Sequence, residues 1–542
     1  MISYCKRYPH LCWIFLGGLF FLPNLGASHL FDWDEINFAE CAREMIRSHD
    51  YLQVQINFLP FWEKPPLFIW MQVFSMKIFG VNEFAARFPN AVVGIVTLNV
   101  LYSIGKKEFN ERFAWWWVWC YAGSILPQFY FKSGIIDPWF NLFIFLSIYN
   151  NFKFEQQKLI NKSGWKQATL IALFLGLAVL TKGPVAIIIF SLCWIFTRIT
   201  RLGRRNLFNI ELLWMLFLVL MVSCSWFLFI WLKDGKEQIQ LFIQYQWRLL
   251  TTGDSGHGQP FWYHWVILLI GCFPASALLF MRKKDHSGEL EAQRELKNYM
   301  WVLFFVVLVL FSLVKTKIVH YSSLCYFPLT FIAARTLYHF ALDWKGKKFM
   351  NAISLIVGLL ISFALILVPY FGSHTSLIIT YVKDDFGKAA IHADVNWQWF
   401  TYLPGLILLF AILYSFIFIR RIQNRFITLF AASIVVVQLV QFILIPRIEK
   451  YSQSAAIDFY QSMKSKNVLV DVYGFKSYAQ LFYSDKSKEQ SQLPLDSLLY
   501  GKITVPAYIV NRADVKYDIT QYKEVKEIGR KNGFIFYVRM PK

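Results

Sequence analysis

Between Phe31 and Trp70 the chain reads FDWDEINFAECAREMIRSHDYLQVQINFLPFWEKPPLFIW, which gathers acids, bases and paired prolines in an otherwise apolar sequence. Asp34 and Glu35 open a stretch of helical periodicity through about Ser48, in which Ile36, Ala39, Met45 and Ile46 share an apolar face suited to lying along a membrane surface. A carboxylate presented there can take a proton from an acceptor group or orient it. The same acids fit a plainer part, with Asp32 as helix N-cap and Glu35 completing a capping box. A helix N-terminus also lowers a carboxylate pKa and weakens it as a base.

Trp62-Glu63-Lys64-Pro65-Pro66 is the more informative motif. Lys64 precedes a proline and is pushed into extended geometry, while Pro66 suits the first turn of a helix predicted through about Phe79. An ammonium is thereby presented at a helix N-terminus, where N–H groups and the dipole already favour an anion such as phosphate. A lysine snorkelling at the membrane edge is the alternative.

Three further motifs carry ionisable groups at the ends of apolar runs. Asp137 lies in Ser133-Gly134-Ile135-Ile136-Asp137-Pro138, Lys182 in Thr181-Lys182-Gly183-Pro184, and Arg248 in Tyr245-Gln246-Trp247-Arg248. A charge at the bilayer centre costs about 2.5–3.5 kcal/mol on insertion scales, and much less at a span's end, so Asp137 and Lys182 also fit as simple turn residues. Arg248 can grip phosphate with two N–H groups or anchor an interfacial helix. His257 sits in a glycine-rich loop without ligand-spaced partners, and Glu63 is the other residue that could reach a divalent metal. No residue set demands a cofactor.

These groups need a scaffold, and composition says which kind. Of 542 residues 56% are hydrophobic and 16% charged, with mean hydropathy +0.41; soluble proteins carry about 25% charged residues. The apolar runs are continuous rather than alternating, so the fold is mainly α, a polytopic membrane protein of about thirteen transmembrane helices. The runs fall near 11–27, 89–105, 113–132, 138–154, 166–181, 183–199, 210–232, 261–281, 298–314, 319–340, 350–371, 399–419 and 426–445. Lys6 and Arg7 before the first run would also suit a cleaved signal peptide, but the many following spans favour an uncleaved first helix.

The net charge of +21 does not point to nucleic acid. Lys106-Lys107, Arg198/Arg201/Arg204/Arg205, Arg282-Lys283-Lys284, Lys345/Lys347/Lys348 and Arg420-Arg421 each close an apolar run, as the positive-inside rule requires. This places the N-terminus in the cytoplasm and loop 28–88 outside, with the C-terminus outside as well. Residues 1–445 then form the membrane domain. The segment 446–542 is a small extracytoplasmic α/β domain, with strands at 468–474, 507–512 and 534–539 and helical stretches near 454–465 and 475–483. The eight cysteines are scattered, none lies after Cys325, and no CxxC pair occurs.

DEINFAECAREM, WEKPPLFIW and FGVNEFAARFP together resemble the first loop of GT-C type membrane glycosyltransferases, the group of lipid A aminoarabinose transferases and bacterial relatives of protein O-mannosyltransferases. The resemblance extends through Ser133–Pro138, TKGP at 181–184, PFWY at 260–263 and KTKIVHY at 315–321, to about residue 330. It implies a polyprenyl-phosphate-linked sugar donor and inverting transfer on the periplasmic face of a bacterial inner membrane, by a monomer. It further implies Asp34 and Asp137 as the catalytic acids, and Lys64, Arg248, Tyr321 and Lys182 as the donor's phosphate-binding and cavity groups, with Glu35, Glu63 and Arg87 in support. The implied acceptor is lipid A or a related envelope glycolipid; protein Ser/Thr hydroxyls are the alternative. Asn37-Phe38 departs from the Arg-Tyr of aminoarabinose transferases, and acids or histidines are missing before Arg248, which leaves the sugar's identity open. A lipid or sugar transporter is the rival from another class; it would place its polar groups near mid-span rather than in outer loops and at span ends.

Overall fold

The computed structural model describes residues 7–199, 210–251, 258–281, 289–340, 346–515 and 519–541. His257 and the cationic clusters at Arg201, Arg204, Arg205, Arg282–Lys284 and Lys345 lie outside the described residues. The chain is mainly helical, with one small sheet near its C-terminus. Among the described residues seven helices are long and apolar enough to cross a membrane, including Glu83–Glu108, Trp165–Lys182, Ile210–Asp234 and Lys347–Ser373. Shorter apolar helices span Pro9–Phe21, Leu67–Phe79 and Val185–Ile199.

Several apolar runs are not single helices. The run at 113–132 divides into Glu111–Ala122, Ile125–Phe129 and a 3-10 turn, and that at 261–281 divides into Tyr263–Gly271 and a 3-10 segment, Ala275–Phe280. The run at 319–340 opens as 3-10 helix Val319–Cys325 before Tyr326–Tyr338. Hydropathy reports burial and not helical continuity, and irregular backbone is tolerated at membrane depth where protein surrounds it. Gly271 marks such a place: a Cβ there would lie 2.1 Å from Leu126 Cδ1, so only glycine allows the two segments to touch.

Six helices carry the chemistry. They are α1 (Asp34–Ser48), α2 (Leu67–Phe79), α3 (Glu83–Glu108), α4 (Asp137–Leu159), α5 (Trp165–Lys182) and α6 (Glu237–Thr251). A short antiparallel ribbon, β1 (Gln55–Ile56) with β2 (Leu59–Pro60), joins α1 to α2. α3 starts where Asn82 accepts the Ala85 N–H at 2.9 Å and ends over Lys106 and Lys107, matching caps and charges to the helix dipole.

α1 does not bury its apolar stripe alone: Ile36, Phe38, Ala39, Cys41, Ala42 and Met45 are buried, and so are Glu40, Arg43 and Glu44. The helix is wedged between α2 and the C-terminal segment, in one apolar cluster with Phe68, Tyr460, Phe482 and Phe536. Its start is not a capping box. Trp33 holds the N-cap position without a side-chain cap. Asp32 turns away to the C-terminal segment, where it accepts the Ser477 hydroxyl at 2.5 Å, and Glu35 is taken by Arg87 and by the Phe31 N–H. Tertiary partners outcompeted the local cap because each supplies a full hydrogen bond in a dry setting.

In the C-terminal segment β3 (Leu469–Val472), β4 (Ala507–Arg512), β5 (Lys526–Lys531) and β6 (Phe534–Arg539) form a sheet of order β3-β4-β6-β5. β3 and β4 run parallel and the other pairs antiparallel. The sequence reading missed β5, whose KEIGRK lacks alternation; it is an edge strand, where charge guards against further pairing.

Candidate active site

Helix ends create the site. α4 begins at Asp137 and α5 ends at Lys182, where Gly183 at φ +89° and Pro184 stop the helix. The Lys182 Nζ donates to Asp137 Oδ1 at 2.6 Å, and both side chains are mostly buried. The 3-10 turn Val319–Cys325 then brings in His320 and Tyr321. His320 Nε2 stands 3.7 Å from Asp34 Oδ2 and 3.7 Å from Asp137 Oδ2, between the two carboxylates. Asn141 of α4 donates to Ser323 Oγ at 2.7 Å and holds this turn against α4.

The two acids differ in setting. Asp34 is 45% exposed, open to an entering group, whereas Asp137 is 3% exposed and its Oδ2 has no hydrogen-bond partner. That oxygen faces His320 without a hydrogen bond of its own. Lys182 lies 4.9 Å from the centre of the Tyr321 ring and 5.6 Å from that of Phe140, a cation on aromatic faces.

α6 closes another side. Tyr245 donates its hydroxyl to Glu63 Oε2 at 2.7 Å, and Gln246 donates to the Glu63 carbonyl at 3.2 Å. Lys64 Nζ lies 5.3 Å and the Arg248 guanidinium 5.5 Å from the Tyr245 ring centre. Burial pushes the Lys64 pKa below its ordinary value, with Lys182 adding to the fall and Glu63, Asp34 and Asp137 opposing it. Burial and the Glu63 carboxylate hold the Tyr245 phenol neutral well past its usual range, so it stays a donor.

Glu35 and Arg87 stand apart from these groups. They form a buried ion pair of 2.7 Å, in which Arg87 also donates to the carbonyls of Leu25, Ser28 and His29. Glu35 Oε1 accepts the Gly134 N–H at 2.5 Å, and Asn90 donates to the carbonyls of Ser133 and Ile135 at 2.6 Å each. Arg87 overcomes the cost of burial and keeps the Glu35 carboxyl below its ordinary range. One bolt thus fixes both the start of α1, which carries Asp34, and the turn that delivers Asp137.

Asp34, Asp137, Lys182, Tyr321, Lys64 and Glu63 therefore converge, Arg248 reaches this group only through the Tyr245 ring and is exposed, and Glu35 and Arg87 lie behind as support. His320 and Tyr245 are the additions that sequence reasoning missed. His320 stands inside KTKIVHY and Tyr245 three residues before Arg248, so both motifs were seen but not these members. Among the described residues no three His, Cys, Asp or Glu groups are placed to hold a metal ion, and Glu63 is engaged by Tyr245.

The fold, a helical bundle carrying a small α/β segment near its C-terminus, is shared with solved membrane-enzyme structures. Crystal structures of ArnT from Cupriavidus metallidurans superpose with a TM-score of 0.72 when bound to undecaprenyl phosphate and 0.74 in the apo state. Each covers 97% of both chains, at 16% and 15% identity. Residues 63–231 match the family described as dolichyl-phosphate-mannose-protein mannosyltransferase. The chain is also similar to the undecaprenyl phosphate-alpha-4-amino-4-deoxy-L-arabinose arabinosyl transferase of Shewanella sediminis, at 26% identity over 65% of this chain and 64% of that protein. The same-named enzyme of Erwinia tasmaniensis is 25% identical over 72% of this chain and 70% of its own length. The chain thus spans just under two thirds of the first of these relatives.

Proposed function

We propose that this protein is an inverting glycosyltransferase that moves a sugar from a polyprenyl-phosphate donor to lipid A or a related envelope glycolipid. The observation that carries this reading is the pairing of two carboxylates, one exposed and one buried, with cations ranged around them: Asp34 and Asp137 bracket His320 while Lys182 holds Asp137. Such a site does little covalent work. The leaving group is a polyprenyl phosphate, so positioning and cations aimed at its developing charge supply most of the acceleration. Lys64, Arg248 and Tyr321 bind the donor's phosphate, and Lys182 fixes the cavity wall beside it. Asp34 orients the acceptor and, where that acceptor is a hydroxyl, takes its proton; an acceptor phosphate arrives already ionised. The new bond forms at the anomeric carbon on the face opposite the departing phosphate. The relatives named as arabinosyl transferases support a 4-amino-4-deoxy-arabinose donor.

The assignment extends to orientation. The N-terminus is cytoplasmic, residues 1–445 form the membrane domain of a bacterial inner membrane, residues 446–542 form a periplasmic domain, and the chain acts as a monomer.

The test uses purified protein in nanodiscs with radiolabelled undecaprenyl-phosphate sugars, offered lipid A or a Ser/Thr peptide. Label entering lipid A, with the rate falling about 10²–10⁴-fold in Asp34→Asn, is the expected result. Label entering the peptide instead would move the protein to the O-glycosylating branch, to which the match at 63–231 is a distant link. Donor carried across the bilayer without transfer would identify a transporter and end the proposal.

A further inference from the structure

The residue just before Asp34 has an unusual backbone. Trp33 adopts φ +84° and ψ −98°, a conformation in which a bulky side chain is strained and which persists only where its surroundings over-determine it. The surroundings are in the C-terminal segment. Ser477 donates to Asp32 Oδ2 at 2.5 Å, the Tyr478 N–H reaches Asp32 Oδ1 at 3.5 Å, and the Asp32 N–H donates to Gln453 Oε1 at 3.1 Å. Gln453 in turn donates to the Leu30 carbonyl at 2.9 Å. The turn is thus clamped by the C-terminal segment, and the clamp leaves Trp33, the residue before Asp34, 49% exposed.

The loop that clamps also supplies a cation. Lys476 Nζ lies 4.9 Å from the Trp33 ring centre and 5.5 Å from that of Tyr478, and the two rings stand edge to face at 6.3 Å. Lys476 is exposed, and among the described residues no carboxylate pairs with it. The nearest acid in the clamp, Asp32, is occupied by Ser477, and burial raises its pKa.

We infer that Trp33, Lys476 and Tyr478 form an acceptor subsite, contributed jointly by the first loop and the C-terminal segment, that binds the phosphorylated sugar headgroup of the acceptor. The inference rests on the transferase reading above and names the substrate class that its acceptor side takes. The chemistry follows from the charges. Lys182 is already paired with Asp137 and Lys64 is assigned to the donor, so an anionic acceptor approaching Asp34 needs a further cation. Lys476, fixed over an indole, offers such a point charge with three N–H donors. The open part of the indole gives the apolar face of a sugar ring a surface to pack on. A cation–aromatic pair on an ordinary surface would explain the Lys476 contact, but not a strained backbone held by a second segment next to the proposed catalytic acid.

The experiment measures binding to the full-length protein in nanodiscs, using the de-acylated bis-phosphorylated glucosamine disaccharide as probe. Undecaprenyl phosphate binding is measured on the same samples. Lys476→Glu should weaken the disaccharide about tenfold or more, while Lys476→Arg stays within about threefold and undecaprenyl phosphate binding is unchanged. The disaccharide without phosphates should bind wild type and Lys476→Glu equally, and Trp33→Ala should weaken both forms of the probe. Equal affinity of wild type and Lys476→Glu for the phosphorylated probe would overturn the subsite, as would a loss confined to a Ser/Thr peptide acceptor. Failure of wild type to bind undecaprenyl phosphate would instead overturn the transferase reading on which it rests.

Discussion

Lys64 shows how one residue's setting becomes a measurable property. Burial lowers its pKa, so its charge is lost at a lower pH than that of an ordinary lysine. Undecaprenyl phosphate affinity should therefore weaken as pH rises through this depressed value. Lys64→Arg should hold its affinity over the same range, because a guanidinium does not deprotonate there. Parallel curves for the two proteins would remove Lys64 from the phosphate site. Arg87 belongs to the same scale but to stability. Removing it leaves Glu35 buried and unpaired, which should cost about 3–5 kcal/mol. Arg87→Ala should lower the thermal midpoint of the purified protein by several degrees. The double variant Glu35→Gln/Arg87→Met should recover much of that loss, and an unchanged midpoint in the single variant would show that the bolt is idle.

At the scale of the element, α1 does more than present Asp34. Its buried Arg43 is chelated by Glu40 at 2.7 and 2.6 Å and donates to Asp485 at 2.8 Å, while Glu44 accepts the N–H groups of Asn57 and Phe58 from the ribbon. Burial and the neighbouring Glu40 push the Glu44 carboxyl up to about 9. A carboxyl whose folded pKa is raised favours folding when protonated, so its contribution is present at low pH and is lost as pH climbs from the ordinary carboxylate range towards that value. Glu44→Gln should accordingly flatten the decline of the thermal midpoint between about pH 5 and 9. An undiminished decline in the variant would place the proton elsewhere.

The whole molecule depends on the contact between its two ends. Leu30 donates its N–H to the Tyr483 hydroxyl at 2.7 Å, Arg43 donates to the Lys486 carbonyl at 3.1 Å, and α1 shares its apolar cluster with Tyr460, Phe482 and Phe536. Truncation after Ser452 would strip cover from α1, exposing an apolar face beside the candidate site. Such a chain should accumulate poorly and aggregate on extraction, read by fluorescence-detected size exclusion of a tagged fusion. Normal yield with full undecaprenyl phosphate binding would show that the C-terminal segment is dispensable to the fold.

What the sequence alone determined is what local chemistry and hydropathy control. Continuous apolar runs announced a helical membrane protein, Pro66 and Phe79 marked the ends of α2, and the alternating AYIVNR and FIFYVR were strands over the stretches foreseen. The motifs that supply the grouped acids and bases were legible too, because loops and helix ends are where a membrane chain can carry charge. Only the tertiary structure decided who partners whom. Asp32 and Glu35 look like a capping pair by spacing, yet Ser477 and Arg87, hundreds and tens of residues away, take them instead. His320 looks like a member of an apolar run until a 3-10 turn sets it between two acids, and nothing in the α1 window foretells that Tyr460, Phe482 and Phe536 pack against it. The reason is common to all three: burial raises the worth of a satisfied polar or apolar contact, and which groups are buried together is a property of the folded chain rather than of any window along it.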